Sequence, residues 1–217
     1  MQKYLKMGMF LFLYFTEFSI KINAMKNRLL PLFAATVLVL TSCTKNVAVD
    51  DEKKPMAVRD SAEMVEYGKY LVTITGCNDC HTPKKMGARG PELVMEQLLS
   101  GYQANRPVAQ FNEEKAMQGF AQMNEDMTAA AGPWGISFAA NLTPHESGIG
   151  NWTFEQFKKA LTQGKAKGMD NGRMLLPPMP WFNYAEMKDD DVRAIYLYLQ
   201  SVKPVDNTPP PPVAFAR

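Results

Sequence analysis

Apolar residues recur at helical spacing in three stretches of the chain. Over residues 61–75, Met64, Tyr67, Leu71 and Ile74 share one face, Asp60 and Glu63 stand at capping-box spacing, and Gly76 marks the stop. Over residues 153–163, Phe154, Phe157 and Leu161 form the face, Thr153 and Gln156 the capping box, and Gly164 the stop. Over residues 189–202, Val192, Ile195, Tyr196, Leu199 and Val202 keep the period. Three aspartates open that helix at the positive end of its dipole, and Pro204 follows it. Two weaker stretches complete the pattern: a short helix over residues 91–99 closed by Gly101, and a helix-compatible run over residues 112–127 interrupted by Gly119. Residues 129–151 and 165–183 read as loops rich in Gly, Pro, Asn and Met. Four consecutive prolines, Pro209 to Pro212, predict a polyproline-like or disordered tail. No alternating strand pattern is evident, so the predicted fold is all-α with long loops.

The first 42 residues follow a different logic. Residues 25–43 read MKNRLLPLFAATVLVLTSC, with Lys26 and Arg28 before an apolar run from Leu29 to Leu40 and small residues before Cys43. The run is shorter than the ~20 residues of a membrane span. Leu-Thr-Ser-Cys resembles the lipobox of bacterial lipoproteins, which implies export and lipidation of Cys43. Residues 1–42 are then leader and signal peptide, with Met25 a candidate start, and residues 43–60 a polar tether. The predicted domain covers residues 61–204 and the tail residues 205–217.

Charge adds one exclusion. The whole chain is +2, but five of its 24 basic and one of its 22 acidic residues precede Cys43. This leaves 19 and 21 from Cys43 onward, a net −2. No basic run interleaved with aromatics appears, so nucleic acid is not an expected partner.

Chemistry concentrates at Cys77-Asn-Asp-Cys80-His81. The chain has three cysteines and two histidines, too few cysteines for a disulfide framework. A zinc site takes four ligands, and His81 directly beside Cys80 is awkward for one tetrahedral ion. A redox dithiol calls for a βαβ setting that the pattern lacks. Covalent haem attachment uses every residue: two thiols for the two vinyl groups and the next side chain for the iron. For the sixth iron position, Met179 lies between prolines in Leu-Pro-Pro-Met-Pro-Trp, a loop stiff enough to present a thioether. Met169 and Met174 lack that rigidity. His145 is the other candidate, in a polar turn where an exposed loop histidine is expected.

These residues together resemble a class I c-type cytochrome, of the monohaem kind found beside bacterial periplasmic dehydrogenases. The matching stretches are Gly68-Lys69-Tyr70-Leu71, CNDCH, Gly90-Pro91-Glu92-Leu93, the run from Gly132 to Pro144, Ser147 to Trp152, Pro178-Met179-Pro180-Trp181 and Asp191 to Leu199. The resemblance implies one haem c bound through Cys77 and Cys80, with His81 as proximal and Met179 as distal ligand. It implies a carbonyl near Pro91 accepting from the second nitrogen of His81, and crossed terminal helices with Gly68 close to the Ile195/Tyr198 face. Where relatives carry an acidic residue this chain has His145, and residues 104–131 match nothing firmly. Trp134, Asn141, Trp152, Arg173 and Tyr184 are polar residues that a haem propionate could use, none of them distinctive.

The expected function is single-electron transfer, without substrate chemistry, between a periplasmic dehydrogenase or other donor and a respiratory acceptor such as an oxidase or another cytochrome. The expected location is the periplasmic side of a bacterial membrane, with Cys43 in the lipid. The alternatives are a haem enzyme or gas sensor with a labile sixth ligand, and an obligate dehydrogenase subunit.

Overall fold

The structure, a computed structural model, describes residues 60–215. The leader, Cys43 and the tether as far as residue 59 lie outside the described residues.

Three helices carry the core. Helix α1 (Ser61–Ile74) starts where Asp60 Oδ1 accepts the Glu63 amide at 2.8 Å, and it buries Met64, Gly68, Leu71 and Val72. The motif itself is a short helix, α2 (Cys77–His81). After α3 (Glu113–Met117) come α4 (Phe154–Gln163), the single turn α5 (Trp181–Tyr184) and α6 (Asp189–Ser201). The capping box of α4 is complete: Gln156 N donates to Thr153 Oγ1 at 3.2 Å and Thr153 N to Gln156 Oε1 at 2.9 Å. Gly164 then ends that helix at φ 66°.

Helix α1 packs on α6, and the contact depends on the missing side chain of Gly68. A Cβ there would collide with the Ala194 carbonyl and come within 2.9 Å of Tyr198 Cβ. The close approach predicted from Gly68 is therefore made to Ala194 and Tyr198. Tyr67 Oη adds a bond to Asp191 Oδ1 at 3.0 Å. On the other side of α6, Tyr196 meets Phe154 and Phe157 with ring centroids 5.8 and 5.5 Å apart, and its hydroxyl donates to Trp152 O at 2.7 Å. Burial of these apolar faces is the main stabilising term, at roughly 25 cal/mol per Å² removed from water.

The expectation of an all-α chain needs correction. The described residues also form two small antiparallel sheets. Strands β1 (Lys84–Gly87) and β2 (Gly90–Leu93) make a hairpin directly after the motif. Strands β3 (Gln122–Met123), β4 (Ala129–Gly132) and β5 (Gly135–Phe138) make a second sheet in that order. Residues 91–99 thus hold a strand and a 3-10 turn (Met95–Gln97) rather than an α-helix, and residues 112–127 hold only the short α3 before the chain extends. Strands of two to four residues are too short to show alternation. Ala129, Ala130 and Ala131 are all buried, so β4 has no polar face.

Nor is the tail detached. Val213 pairs with Ile136 of β5 through two bonds, 2.7 and 3.0 Å, and Asn207 is buried. No described helix is long and apolar enough to cross a membrane.

Candidate functional site

Helix α2 begins one residue after α1 and its cap end, because Gly76 takes φ 71° and turns the chain sharply. Thr75 spans the junction: its hydroxyl donates to Leu71 O at 2.8 Å and lies 3.3 Å from Cys77 Sγ. Tyr184 Oη holds the Thr75 carbonyl from α5 at 3.2 Å. At the far end, Lys84 Nζ reaches back to the carbonyls of Asn78 (3.3 Å), Asp79 (2.6 Å) and Thr82 (3.0 Å), and to Asp126 O at 3.0 Å. A cation on the carbonyl end of a helix is favourable, and this one also joins α2 to the 104–131 segment. Buried Thr82 completes the seat, donating to Asn78 Oδ1 at 2.8 Å and accepting the Leu99 amide at 2.9 Å.

The imidazole of His81 is fixed from both ends. Its backbone carbonyl accepts from Gly101 N at 2.8 Å, and Nδ1 lies 2.8 Å from Ala140 O. A carbonyl only accepts, so Nδ1 carries the proton and Nε2 keeps its lone pair. The carbonyl expected near Pro91 does not serve here. Pro91 stands opposite Met86 in the β1–β2 hairpin, and the partner comes instead from the chain just after β5. Burial lowers the His81 pKa, outweighing the carbonyl that raises it, and the Lys84 charge lowers it further. The ring is accordingly neutral, as a metal-ligating imidazole must be.

Both motif thiols are free, half-buried and pushed above the ordinary thiol value, burial being the first cause in each. For Cys77 the Thr75 hydroxyl opposes this, and for Cys80 the Lys84 charge does. Redox dithiols show the opposite shift, toward the thiolate. Among the described residues no three His, Cys, Asp or Glu side chains converge as a metal site. Two protonated thiols and a neutral, oriented imidazole on one helical turn fit the donor set of a covalently attached haem.

Met179 is half-buried against the core formed by α1, α4 and α6. Its amide donates to Leu176 O at 3.3 Å, closing a turn over the cis Pro177–Pro178 bond. Ser137 Oγ of β5 donates to Pro177 O at 2.6 Å and ties that turn down. Met169 and Met174 are exposed. His145 lies in a turn as expected, but half-buried rather than exposed. Its Nδ1 accepts from the Ser147 amide (3.2 Å), meets the Ser147 hydroxyl (2.8 Å) and lies 3.6 Å from Asp206.

Of the residues weighed as propionate donors, Asn141, Trp134, Arg173 and Tyr184 already bond within the protein. Sequence reasoning did not single out Lys84, Ser137 or the Ala140 carbonyl. The first two are common polar residues, and the third is a main-chain atom that no side-chain identity reveals.

A family model described as "Cytochrome c" matches residues 65–203. The chain is 44% identical over 144 residues to the cytochrome c subunit of a quinone alcohol dehydrogenase of Gluconobacter oxydans, covering 65% of this chain and 22% of that protein. It is 30% identical over 179 residues to the cytochrome subunit of fructose dehydrogenase of Gluconobacter japonicus, covering 82% of this chain and 29% of that one. Over 77 residues it is 40% identical to the gluconate 2-dehydrogenase cytochrome c subunit of Pantoea cypripedii, 35% of this chain and 17% of that one. The matches thus span less than a third of each of these curated relatives.

Proposed function

Since the chain belongs to the cytochrome c family, we propose that it is a monohaem electron-transfer protein holding haem c covalently through Cys77 and Cys80, with His81 as proximal and Met179 as distal iron ligand. The carrying observation is the His81 ring, neutral and bonded through Nδ1 to Ala140 O, on the same short helix as two protonated thiols. When bound, haem supplies a one-electron iron couple whose potential follows from axial ligands, burial and outer hydrogen bonds. His81 presents Nε2 from a fixed orientation. Met179 sits on a turn stiffened by prolines and anchored by Ser137, so a thioether there loses little entropy on ligation. The chain carries no substrate chemistry of its own.

The named relatives are cytochrome subunits of dehydrogenases. By analogy this protein takes electrons from a dehydrogenase working outside the cytoplasm and passes them to an oxidase or another cytochrome. The segment before Cys43 has the order of an export signal, and Cys43 is the proposed lipid anchor on the periplasmic side.

The test is the optical spectrum of the reduced, matured protein before and after carbon monoxide. An unchanged Soret band supports a strong sixth ligand and electron transfer. A prompt shift overturns that reading in favour of gas binding or catalysis. Met179→Ala is expected to lower the reduction potential and to admit carbon monoxide. An unaltered potential in that variant removes Met179 from the iron.

A further inference from the structure

We infer that the C-terminal tail, through Asn207, is a positioning element for the proximal imidazole: it holds the loop that presents the Ala140 carbonyl to His81 and thereby tunes the iron. This rests on His81 being the iron ligand.

Asn207 is 7% exposed and bonds through every polar atom it has. Its Nδ2 donates to Ser100 O at 2.7 Å and Tyr102 O at 2.9 Å, and its Oδ1 accepts the Ala104 amide at 2.9 Å. Its amide donates to Ser147 Oγ at 3.1 Å and its carbonyl accepts from Asn141 Nδ2 at 3.0 Å. These partners belong to the two chain segments that grip His81. One contains Gly101, between Ser100 and Tyr102, whose amide holds the His81 carbonyl. The other contains Ala140, directly before Asn141. The segments also bond to each other, Tyr102 N to Ala139 O at 3.0 Å and Leu142 N to Leu99 O at 2.8 Å. Asn207 ties both to the tail.

Tail contacts bracket Ala140 on either side. After it, Asn141 Nδ2 also donates to Val205 O at 2.8 Å, and the Val205 amide donates to Thr143 Oγ1 at 3.0 Å. Before it, Ile136 is paired with Val213. Between the anchors Asn207 and Val213 run the four prolines, a stiff spacer that fixes one relative to the other. The polyproline stretch therefore has a job within the domain.

A carbonyl accepting from Nδ1–H makes an imidazole the stronger electron donor, which favours ferric iron and lowers the potential. Loosening the Ala140 loop does the reverse. The test uses full-length holoprotein carrying Asn207→Ala, Asn207→Asp (which turns an acceptor toward the Ser100 and Tyr102 carbonyls) or Val213→Pro (which removes the amide bonded to Ile136 O). The readouts are the reduction potential and, by NMR of the reduced protein, exchange of the His81 Nδ1 proton. Both Asn207 variants are expected to shift the potential upward and to speed exchange with the optical spectrum retained. Val213→Pro shifts both less, in the same direction. Tyr196→Phe, which loses a bond to Trp152 O rather than one to the tail or to Ala140, lowers the melting temperature and leaves both readouts alone. An unchanged potential and exchange rate in the Asn207 variants overturns the inference; where those do not accumulate, unchanged values in Val213→Pro do so. Absence of an iron-bound His81 ring in the unsubstituted protein refutes the ligand assignment itself, a separate result.

Discussion

Two single residues show how little latitude the site has. Gly68 lies where α1 meets α6, and the atom that a Cβ would strike is the Ala194 carbonyl. A backbone atom inside a helix cannot swing aside, so Gly68→Ala forces the two helices apart. The expected loss is about 3 kcal/mol, the upper range for overpacking, read as a lower thermal midpoint of the holoprotein. Lys84 is the second case. Its ammonium binds three carbonyls around α2 and one across to Asp126. Burial depresses its pKa, and Asp126 is the first of the charges that oppose this. Lys84→Met keeps the stem but takes the ammonium from the Asp79, Thr82 and Asp126 carbonyls, while Asn78 O keeps the Thr82 amide. Less haem per chain is expected after maturation, and a stability loss of roughly 1–3 kcal/mol by denaturant unfolding. Equal haem content in that variant contradicts the supporting role given to Lys84.

At the scale of elements, the helices owe their ends to local chemistry and their places to packing. Helix α4 is stapled at its start by the reciprocal Thr153–Gln156 bonds and ended by Gly164, which leaves room for the Trp181 ring. Thr153→Ala removes half of the box. It is expected to cost about 1 kcal/mol in chemical unfolding and to leave the visible spectrum untouched. A changed spectrum instead shows that α4 reaches the site through Trp181 and the Met179 turn. The strands work differently. The β4–β5 hairpin delivers Ala140 to His81 at one end, and Ser137 to the Met179 turn in its middle. One element thus supports both proposed axial positions.

For the whole molecule, the 104–131 segment is closed on itself by a partly buried charge cluster that rests on the Tyr102 ring. Arg106 grips Asp126 with bonds of 2.9 and 3.0 Å, stacks over the Tyr102 ring at 4.2 Å, and shares Asp126 with Thr128. Burial alone pushes the Asp126 carboxyl up. Its bonds to Arg106 and Thr128 and the Arg106 charge outweigh that and hold it below its ordinary value of 3.8. A carboxyl depressed in the folded state contributes stability that is present above the unfolded value and lost as pH falls through the folded one. The folded protein is therefore expected to weaken below about pH 4 through this group. Asp126→Asn is less stable at neutral pH, because Arg106 loses its counter-charge, and its stability falls less steeply between about pH 4 and pH 2. An identical acid limb in both proteins, followed by circular dichroism, places the acid-sensitive group elsewhere.

What the sequence by itself determined were the features written in side-chain identity and local order. They are the CNDCH motif, the family, the three long helices with their caps, and the small residue at the helix crossing. Each depends on neighbours within a few positions, or on a pattern that repeats at one period. Tertiary structure decided the rest. The strands of the 104–138 region arise by pairing, with buried alanines that carry no periodic signal. Short prolines and a lone asparagine near the terminus look like a loose tail, yet Asn207 finds its five partners 60 to 107 positions away in sequence. The carbonyl facing His81 belongs to Ala140 rather than to the neighbourhood of Pro91 because β5, not the β1–β2 hairpin, ends beside the ring. A main-chain oxygen has the same chemistry at every residue, so only the path of the chain selects which one orients the histidine.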